Sequence, residues 1–273
     1  MRDVYTNAAC NIAASASSSP IGGLFRDRVA NHVRPGIITS NLVSQEPKEF
    51  YIFDKGYWDR HILNGALHQR GWVFQERFLS PRQIYFARDQ IMWECLEEHK
   101  CEGFPRGVPL YESSKSIKRL LASTKSDESK IEGLMPFDAM DLWIDVVTAY
   151  SRCQFTFMED KLYALGGVAK LFQEATGDMF LAGLWRSRLL HQLDWCVWTP
   201  KPRVTSKYRA PSWSWVSVDG PVNSTRPAHG FDFLAEVIDA MVTTVAGGDA
   251  MVNVTGGFIK LRGKKAVEYH SYL

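Results

Sequence analysis

The stretch Arg70–Cys95, RGWVFQERFLSPRQIYFARDQIMWEC, decides how the first part of this chain folds. Four of its side chains share one face at helical spacing: Trp72, Gln75, Glu76 and Leu79. The pair Ser80-Pro81 ends this predicted helix, because proline cannot continue one. Two β-rich runs, QIYFA and QIMWEC, follow on either side of Arg88-Asp89. The stretch therefore predicts a helix followed at once by a tight β-hairpin.

Glu76 is the residue of this stretch that most needs an explanation. A carboxylate near an apolar helical face costs free energy to desolvate unless it is paired. One interpretation is a salt bridge to Arg70, Arg77 or Arg82 that ties the helix to the hairpin. The other is a carboxylate kept for chemistry. The residues alone leave both interpretations open.

Composition bounds the class of protein. A chain of 273 residues is long enough for one large or two modest domains, and 45% apolar with 23% charged residues is typical of a globular fold. The formal charge of +2, from 32 basic and 30 acidic residues, gives no reason to expect a nucleic-acid partner. Five cysteines favour a reducing compartment, so we predict a cytoplasmic protein. We expect no membrane span, since no run of 18 apolar residues occurs.

Three regions follow one another along the chain. Residues 1–101 are predicted to start with a helix end and a buried strand (4–16) and to finish with the helix and hairpin. Residues 102–200 are predicted to hold a polar surface excursion and three helices. Those helices are expected at Asp138–Cys153, Thr156–Thr176 and Met179–Trp198. Thr156 and Glu159 have capping-box spacing, and Gly177 is expected to close the second helix.

Residues 201–273 are predicted to be β-rich. The run APSWSWVSVDGPV reads as a strand whose Trp213 and Trp215 lie on one face, where packing into the core is favoured over a ligand platform. Farther on, Gly256-Gly257 sits between two alternating runs, which is typical of a two-residue hairpin turn.

The common short chemical signatures are missing from the sequence. It contains no GxGxxG, Walker P-loop, HExxH or GxSxG pattern. Cys95, His99 and Cys101 approach a metal half-site, but a tetrahedral zinc site needs further ligands and no second pair is near. We therefore predict no metal.

Several long motifs nevertheless occur in one order. They are the stretch from Arg70 to Cys95, then FTFMEDKLYALGGVAK, LAGLWRSRLLHQLDWCVW and APSWSWVSVDGPV, and together they resemble the fungal heterokaryon incompatibility (HET) domain proteins. The signature residues of the first motif are Gly71, Trp72, Gln75, Glu76, Arg77, Leu79, Ser80 and Arg82. The amino-terminal MRDVYTNAACNIAASAS resembles a later segment of that domain, and the earlier family motifs do not occur. We therefore expect the chain to lack the first half of a HET domain.

The resemblance implies a fold and a function. The fold would be α+β: a partial, truncated TIR-like α/β unit, then a helical segment and a β-rich end. The function would be non-self recognition and cell-death signalling through protein partners. The resemblance is also compatible with a homo-oligomer. HET domains have been likened to TIR domains that cleave NAD, and Trp72 and Glu76 have the spacing of the TIR tryptophan and catalytic glutamate. One alternative is therefore an NAD glycohydrolase in which Glu76 is catalytic, Trp72 contacts the substrate, and NAD is the substrate rather than a cofactor. The other alternative is an inactive truncated fragment.

Overall fold

The structure of the protein is a computed structural model that describes residues 2–42, 46–52, 54, 56–109, 133–202, 207–226, 233–245 and 251–263. The chain divides into two compact units, Met1–Lys118 with Cys153–Phe155, and Arg119–Arg152 with Thr156–Leu273. Helices and sheets occur in both units, which confirms the α+β class.

The first unit is built around a four-stranded sheet of order β1-β4-β5-β6. Its elements are α1 (Arg2–Thr6), β1 (Asn11–Ala13), α2 (Ala30–Val33), β2 (Gly36–Ser40), β3 (Lys48–Ile52), α3 (Gly71–Leu79), β4 (Arg82–Phe86), β5 (Ile91–Cys95) and β6 (His99–Cys101). Strand β1 runs parallel to β4, the other pairings in this sheet are antiparallel, and β2 with β3 forms a separate ribbon. The described sheet thus has one parallel pair, and a TIR-like arrangement stays a prediction.

The predicted helix and hairpin are confirmed. Helix α3 ends at Leu79, and β4 pairs with β5 in a register that sets Phe86 opposite Ile91 across the turn. The face of α3 that is buried carries the apolar side chains Val73, Phe74, Phe78 and Leu79. Trp72 and Glu76 are only partly buried, at the margin of that face.

The core of the first unit is formed by β4 and β5 together with the segment around the short π-helix Asp59–Leu63. Trp58, Ile62, Tyr85 and Met92 are at most 1% exposed and belong to one apolar cluster. The predicted strand near the amino terminus is β1, and it is buried on one side only: Ala13 is 6% exposed, whereas Ile12 is 59% exposed.

A short strap, Cys153–Phe155, belongs to the first unit although it lies far along the chain. Gln154 makes a parallel bridge with Arg70, and its carbonyl accepts a 3.0 Å hydrogen bond from the backbone N–H of Gly71. The ring of Phe155 lies directly over Gly71, where an added Cβ would be 2.0 Å from its atoms. The strap therefore fixes the first turn of α3.

The second unit combines two long helices with short hairpins and one long ribbon. Its elements are α4 (Phe137–Tyr150), α5 (Asp160–Thr176), β7 (Phe180–Leu181), β8 (Leu184–Trp185), α6 (Leu189–Gln192), β9 (Cys196–Val197), β10 (Val222–Asn223), β11 (Ala235–Thr244) and β12 (Val254–Gly263). Strands β7 and β8, β9 and β10, and β11 and β12 form antiparallel pairs.

Two of the three predicted helices are confirmed, with changed boundaries. The first was expected at Asp138–Cys153 and is Phe137–Tyr150, so Cys153 lies outside it. The second begins at Asp160 rather than Thr156, and the predicted capping box is wrong. Glu159 occupies the N-cap position in a helical conformation and makes no side-chain capping bond. Gly177 closes this helix in the left-handed conformation, as predicted.

The third predicted helix, Met179–Trp198, is wrong. The segment forms the β7–β8 hairpin, a 3₁₀ turn and the short α6. The cause is the turn Ala182-Gly183, whose φ angles of 47° and 104° a right-handed helix cannot contain. Trp143 and Trp215 both donate hydrogen bonds from their indole N–H groups to the Gly183 carbonyl, which holds this turn in the core.

The predicted Gly256-Gly257 turn is also wrong, because both glycines lie inside β12. They face Thr243 and Val242 of β11. A Cβ at Gly257 would be 2.7 Å from the Met241 carbonyl oxygen, so the glycine allows a close approach of the two strands.

The strand predicted over Trp213 and Trp215 is a 3₁₀ turn, Trp215–Ser217, and this prediction is wrong as well. The side chain of Ser214 accepts a hydrogen bond from the backbone N–H of Val216, which starts the turn. Trp215 lies in the core as predicted, whereas Trp213 is only partly buried.

Candidate functional site

An ion pair between Arg77 of α3 and Glu94 of β5 joins the helix to the hairpin. Two hydrogen bonds of 2.9 Å each, from Nε to Oε2 and from Nη2 to Oε1, give a bidentate pair. The side chains are only 7% and 15% exposed. The Tyr85 hydroxyl donates to Glu94 Oε2, and His99 Nε2 lies 3.2 Å from Glu94 Oε1. We call these four residues the clamp.

The clamp fixes the protonation of its members. Burial alone would raise the pKa of Glu94, but the charge of Arg77 and the hydrogen bonds from His99, Arg77 and Tyr85 bring it well below its usual value. Burial and the nearby Glu94 carboxylate raise the pKa of Tyr85. The pair therefore stays ionised, and the phenol stays protonated, throughout the neutral range.

The salt bridge expected for Glu76 is made by a different acid. Among the described residues, the ion pairs do not include one between Glu76 and Arg70, Arg77 or Arg82. Arg77 lies one residue along the helix from Glu76, so its side chain points about 100° away, toward the hairpin. The tie between helix and hairpin was correctly expected, and its carboxylate is Glu94.

Glu76 has its own surroundings at the margin of α3. Its side chain is half-buried, and Tyr5 of α1 hydrogen-bonds to it. Burial raises the pKa of Glu76, while the Tyr5 hydrogen bond and the charge of Arg70 lower it in part. Trp72 precedes Glu76 by four residues and lies on the same side of the helix. This part of α3 therefore carries a carboxyl group outside the clamp, next to a partly buried indole.

The three residues of the suspected metal half-site have separate partners. His99 contacts Glu94, Cys101 Sγ lies 3.8 Å from the Tyr57 hydroxyl, and Cys95 Sγ accepts from the backbone N–H of Glu98. Within the described ranges, the His, Cys, Asp and Glu side chains do not form a group of three or more that could hold a metal ion.

The second unit contains a buried charge cluster of Lys161, Arg209 and Asp219. Lys161 Nζ donates to the Val218 carbonyl at 2.8 Å and lies 4.9 Å from the centre of the Trp215 ring. Arg209 pairs with Asp219 at 2.5 Å, and both side chains are 1% exposed. Burial, followed by the charge of Arg209, lowers the pKa of Lys161 to about 7, although Asp219 raises it. The cluster ties α5 to the segment that follows Trp215.

Sequence reasoning named Arg77 as an ion-pair residue but missed its partner Glu94, the Tyr5 contact of Glu76 and the cluster of the second unit. Glu94 had a visible signal, since it is a charge inside the otherwise apolar strand run QIMWEC. Tyr5 and Arg209 had none, because their partners are brought near only by the tertiary fold.

The chain was compared with known families and proteins. Residues 1–76 match the family described as Heterokaryon incompatibility protein (HET). The predicted resemblance to HET domain proteins is thereby confirmed over this segment, which extends from α1 to Glu76 in α3. Neither the curated proteins nor the solved structures gave a match. In the part of the chain that the structure describes, no helix has both the length and the apolar character needed to cross a membrane.

Proposed function

We propose that this protein acts in fungal heterokaryon incompatibility, as a cytoplasmic non-self recognition and cell-death module that works through protein contacts. The proposal rests on the HET match of residues 1–76 together with one surface inside that segment. That surface is the ribbon of β2 and β3, where adjacent strand residues alternate between the two faces.

Both faces of this ribbon are open to solvent and partly apolar. Ile37 is 55% exposed and Ile38, on the opposite face, is 47% exposed; across the ribbon, Tyr51 is 62% exposed. An isolated two-stranded ribbon is marginally stable in water, and exposed apolar patches mark sites of protein association. The ribbon is therefore the surface through which a partner, or a second copy of the chain, would bind.

The test is inducible expression of the full chain in a filamentous fungus, with growth and cell death followed in time. The variant Ile37→Ser/Tyr51→Ser should abolish both cell death and partner capture. Leu234→Ser removes an apolar side chain that is 82% exposed elsewhere, and this control should stay active. Cell death that is equal in the ribbon variant and the unmutated protein would reject a role for the ribbon.

The second candidate function is NAD glycohydrolysis by Glu76. The observation that favours it is the half-buried Glu76 carboxyl, which the clamp does not use and which lies near Trp72. Cleavage of the nicotinamide–ribose bond passes through an oxocarbenium-like transition state. Water attacks the anomeric carbon, nicotinamide leaves with the bonding electron pair, and an ionised Glu76 stabilises the positive charge that develops on the ribose. The indole of Trp72 would pack against the substrate ring.

The enzyme candidate is tested with Glu76→Gln. Loss of both NAD consumption and cell death in this variant, with its thermal midpoint unchanged, would support catalysis. Glu97→Gln is the matched control, because Glu97 is an exposed carboxylate of the same unit. If cell death occurs while NAD is intact, the signalling module stands and the enzyme does not. A folded protein that neither consumes NAD nor kills would match the inactive alternative.

A further inference from the structure

A cleft of about 300 Å³ lies between two loops of the first unit. One wall is the loop after β1, with Ser17, Ser18 and Ser19, and the other is the turn before α3, with Ala66, Leu67 and Arg70. This volume is at the lower end of small-molecule pockets, which span roughly 300–1,000 Å³. The cleft therefore suits a small metabolite rather than a protein segment.

The two walls are fixed to each other behind the cleft. Ser15 Oγ and His68 Nε2 are 2.9 Å apart, and these two residues are 2% and 8% exposed. The serine loop is braced as well, because Arg26 donates to Ser17 Oγ at 2.7 Å and to the Gly22 carbonyl at 2.6 Å. A binding site whose walls are already held in place loses little entropy when a ligand binds.

The cleft has a largely apolar lining with one cationic side chain and several hydroxyl groups. Arg70 is exposed at its edge; the ion pairs of the described residues do not include its guanidinium, whose charge nevertheless lowers the pKa of the Glu76 carboxyl. Ser18 and Ser19 add exposed hydroxyl groups, while the lining residues include no carboxylate. A guanidinium and hydroxyl groups are the kinds of donor that bind phosphate oxygens in proteins.

We propose that this cleft binds the phosphate group of a phosphorylated small molecule, with Arg70 and the hydroxyls of Ser18 and Ser19 as donors. This inference goes beyond the proposed function, since it requires neither chemistry at Glu76 nor a protein partner. Arg70 also directly precedes the helix that carries Glu76, so a bound phosphate competes with the Glu76 carboxyl group for the charge of Arg70.

The experiment is calorimetric titration of the full chain with ADP as the probe and adenosine as the uncharged comparison. We expect ADP to bind and adenosine to bind at least tenfold more weakly. Arg70→Gln should weaken ADP binding roughly tenfold or more, as expected for loss of a charge-assisted hydrogen bond. Arg88→Gln is the matched control, because Arg88 is an exposed arginine at the hairpin turn of the same unit. Its affinity should equal that of the unmutated protein.

Two further variants complete the test. Ser18→Ala/Ser19→Ala should weaken ADP binding several-fold without moving the thermal midpoint, since both serines are exposed. Glu76→Gln should still bind ADP, which separates this inference from the NAD proposal. Equal affinity in Arg70→Gln and Arg88→Gln, equal affinity for adenosine and ADP, or no ADP binding by the folded unmutated chain would each overturn the proposal.

Discussion

Glu94 forms the ion pair between helix and hairpin that the sequence suggested for Glu76. The two carboxylates are therefore expected to have different roles. The clamp holds Glu94 between Arg77, Tyr85 and His99, so its charge is structural. Glu76 lies outside the clamp, where its neighbours are Tyr5 and Arg70. Substitution of the two acids should therefore have different consequences.

Glu94→Gln is expected to destabilise the protein by about 3–5 kcal/mol, because it leaves the buried Arg77 cation without its counter-charge. The measurement is urea unfolding at pH 7. Glu97→Gln, at an exposed acid of the same unit, should change the free energy of unfolding by less than about 0.5 kcal/mol. Similar stabilities for the two variants would contradict the clamp.

At the scale of elements, the sequence correctly predicted the helices and strands whose signals lie close together in the chain. Helix α3 and the β4–β5 hairpin follow from apolar spacing, Ser80-Pro81 and two β-rich runs, and all three signals lie within one stretch. The helix predicted over Met179–Trp198 is wrong because the turn of the β7–β8 hairpin is held by Trp143 and Trp215, which are distant in sequence. The Gly256-Gly257 prediction failed because close packing against β11, rather than a turn, accounts for the glycines.

The strap explains the glycine that opens the signature of α3 and gives a test of its packing. Gly71→Ala should destabilise the protein by about 1–3 kcal/mol, because the new methyl group overlaps the Phe155 ring. The measurement is a double-mutant cycle with Phe155→Ala, in which removal of the ring should make Gly71→Ala less costly. Additive effects of the two substitutions would show that the ring does not restrict this position.

At the scale of the whole molecule, buried ionisable groups should control the response of stability to pH. On the acid side, Glu94 has a lowered pKa in the folded state, so its contribution is present above its unfolded pKa of about 4.3 and is lost as the pH falls below it. On the alkaline side the relevant group is Lys161, whose pKa of about 7 in the folded state lies below its ordinary value of 10.5.

Stability should therefore rise between about pH 7 and pH 10, because the unfolded chain binds more protons than the folded one in that interval. Lys161→Met should remove this rise. Lys170→Met is the control, since Lys170 is exposed on the same helix α5 and should leave the pH profile unchanged. The measurement is urea unfolding at half-unit pH steps, and a flat profile for the unmutated protein over this interval would contradict the prediction.

The strap also sets an order for biosynthesis. The first unit includes Cys153–Phe155, so a ribosome that has made the first 118 residues has not yet made all of that unit. The backbone N–H of Gly71 cannot donate to the Gln154 carbonyl until about 35 residues beyond Lys118 have been added to the chain. The amino-terminal unit is therefore the first to begin folding during translation, but it is completed only after all of α4 has been synthesised.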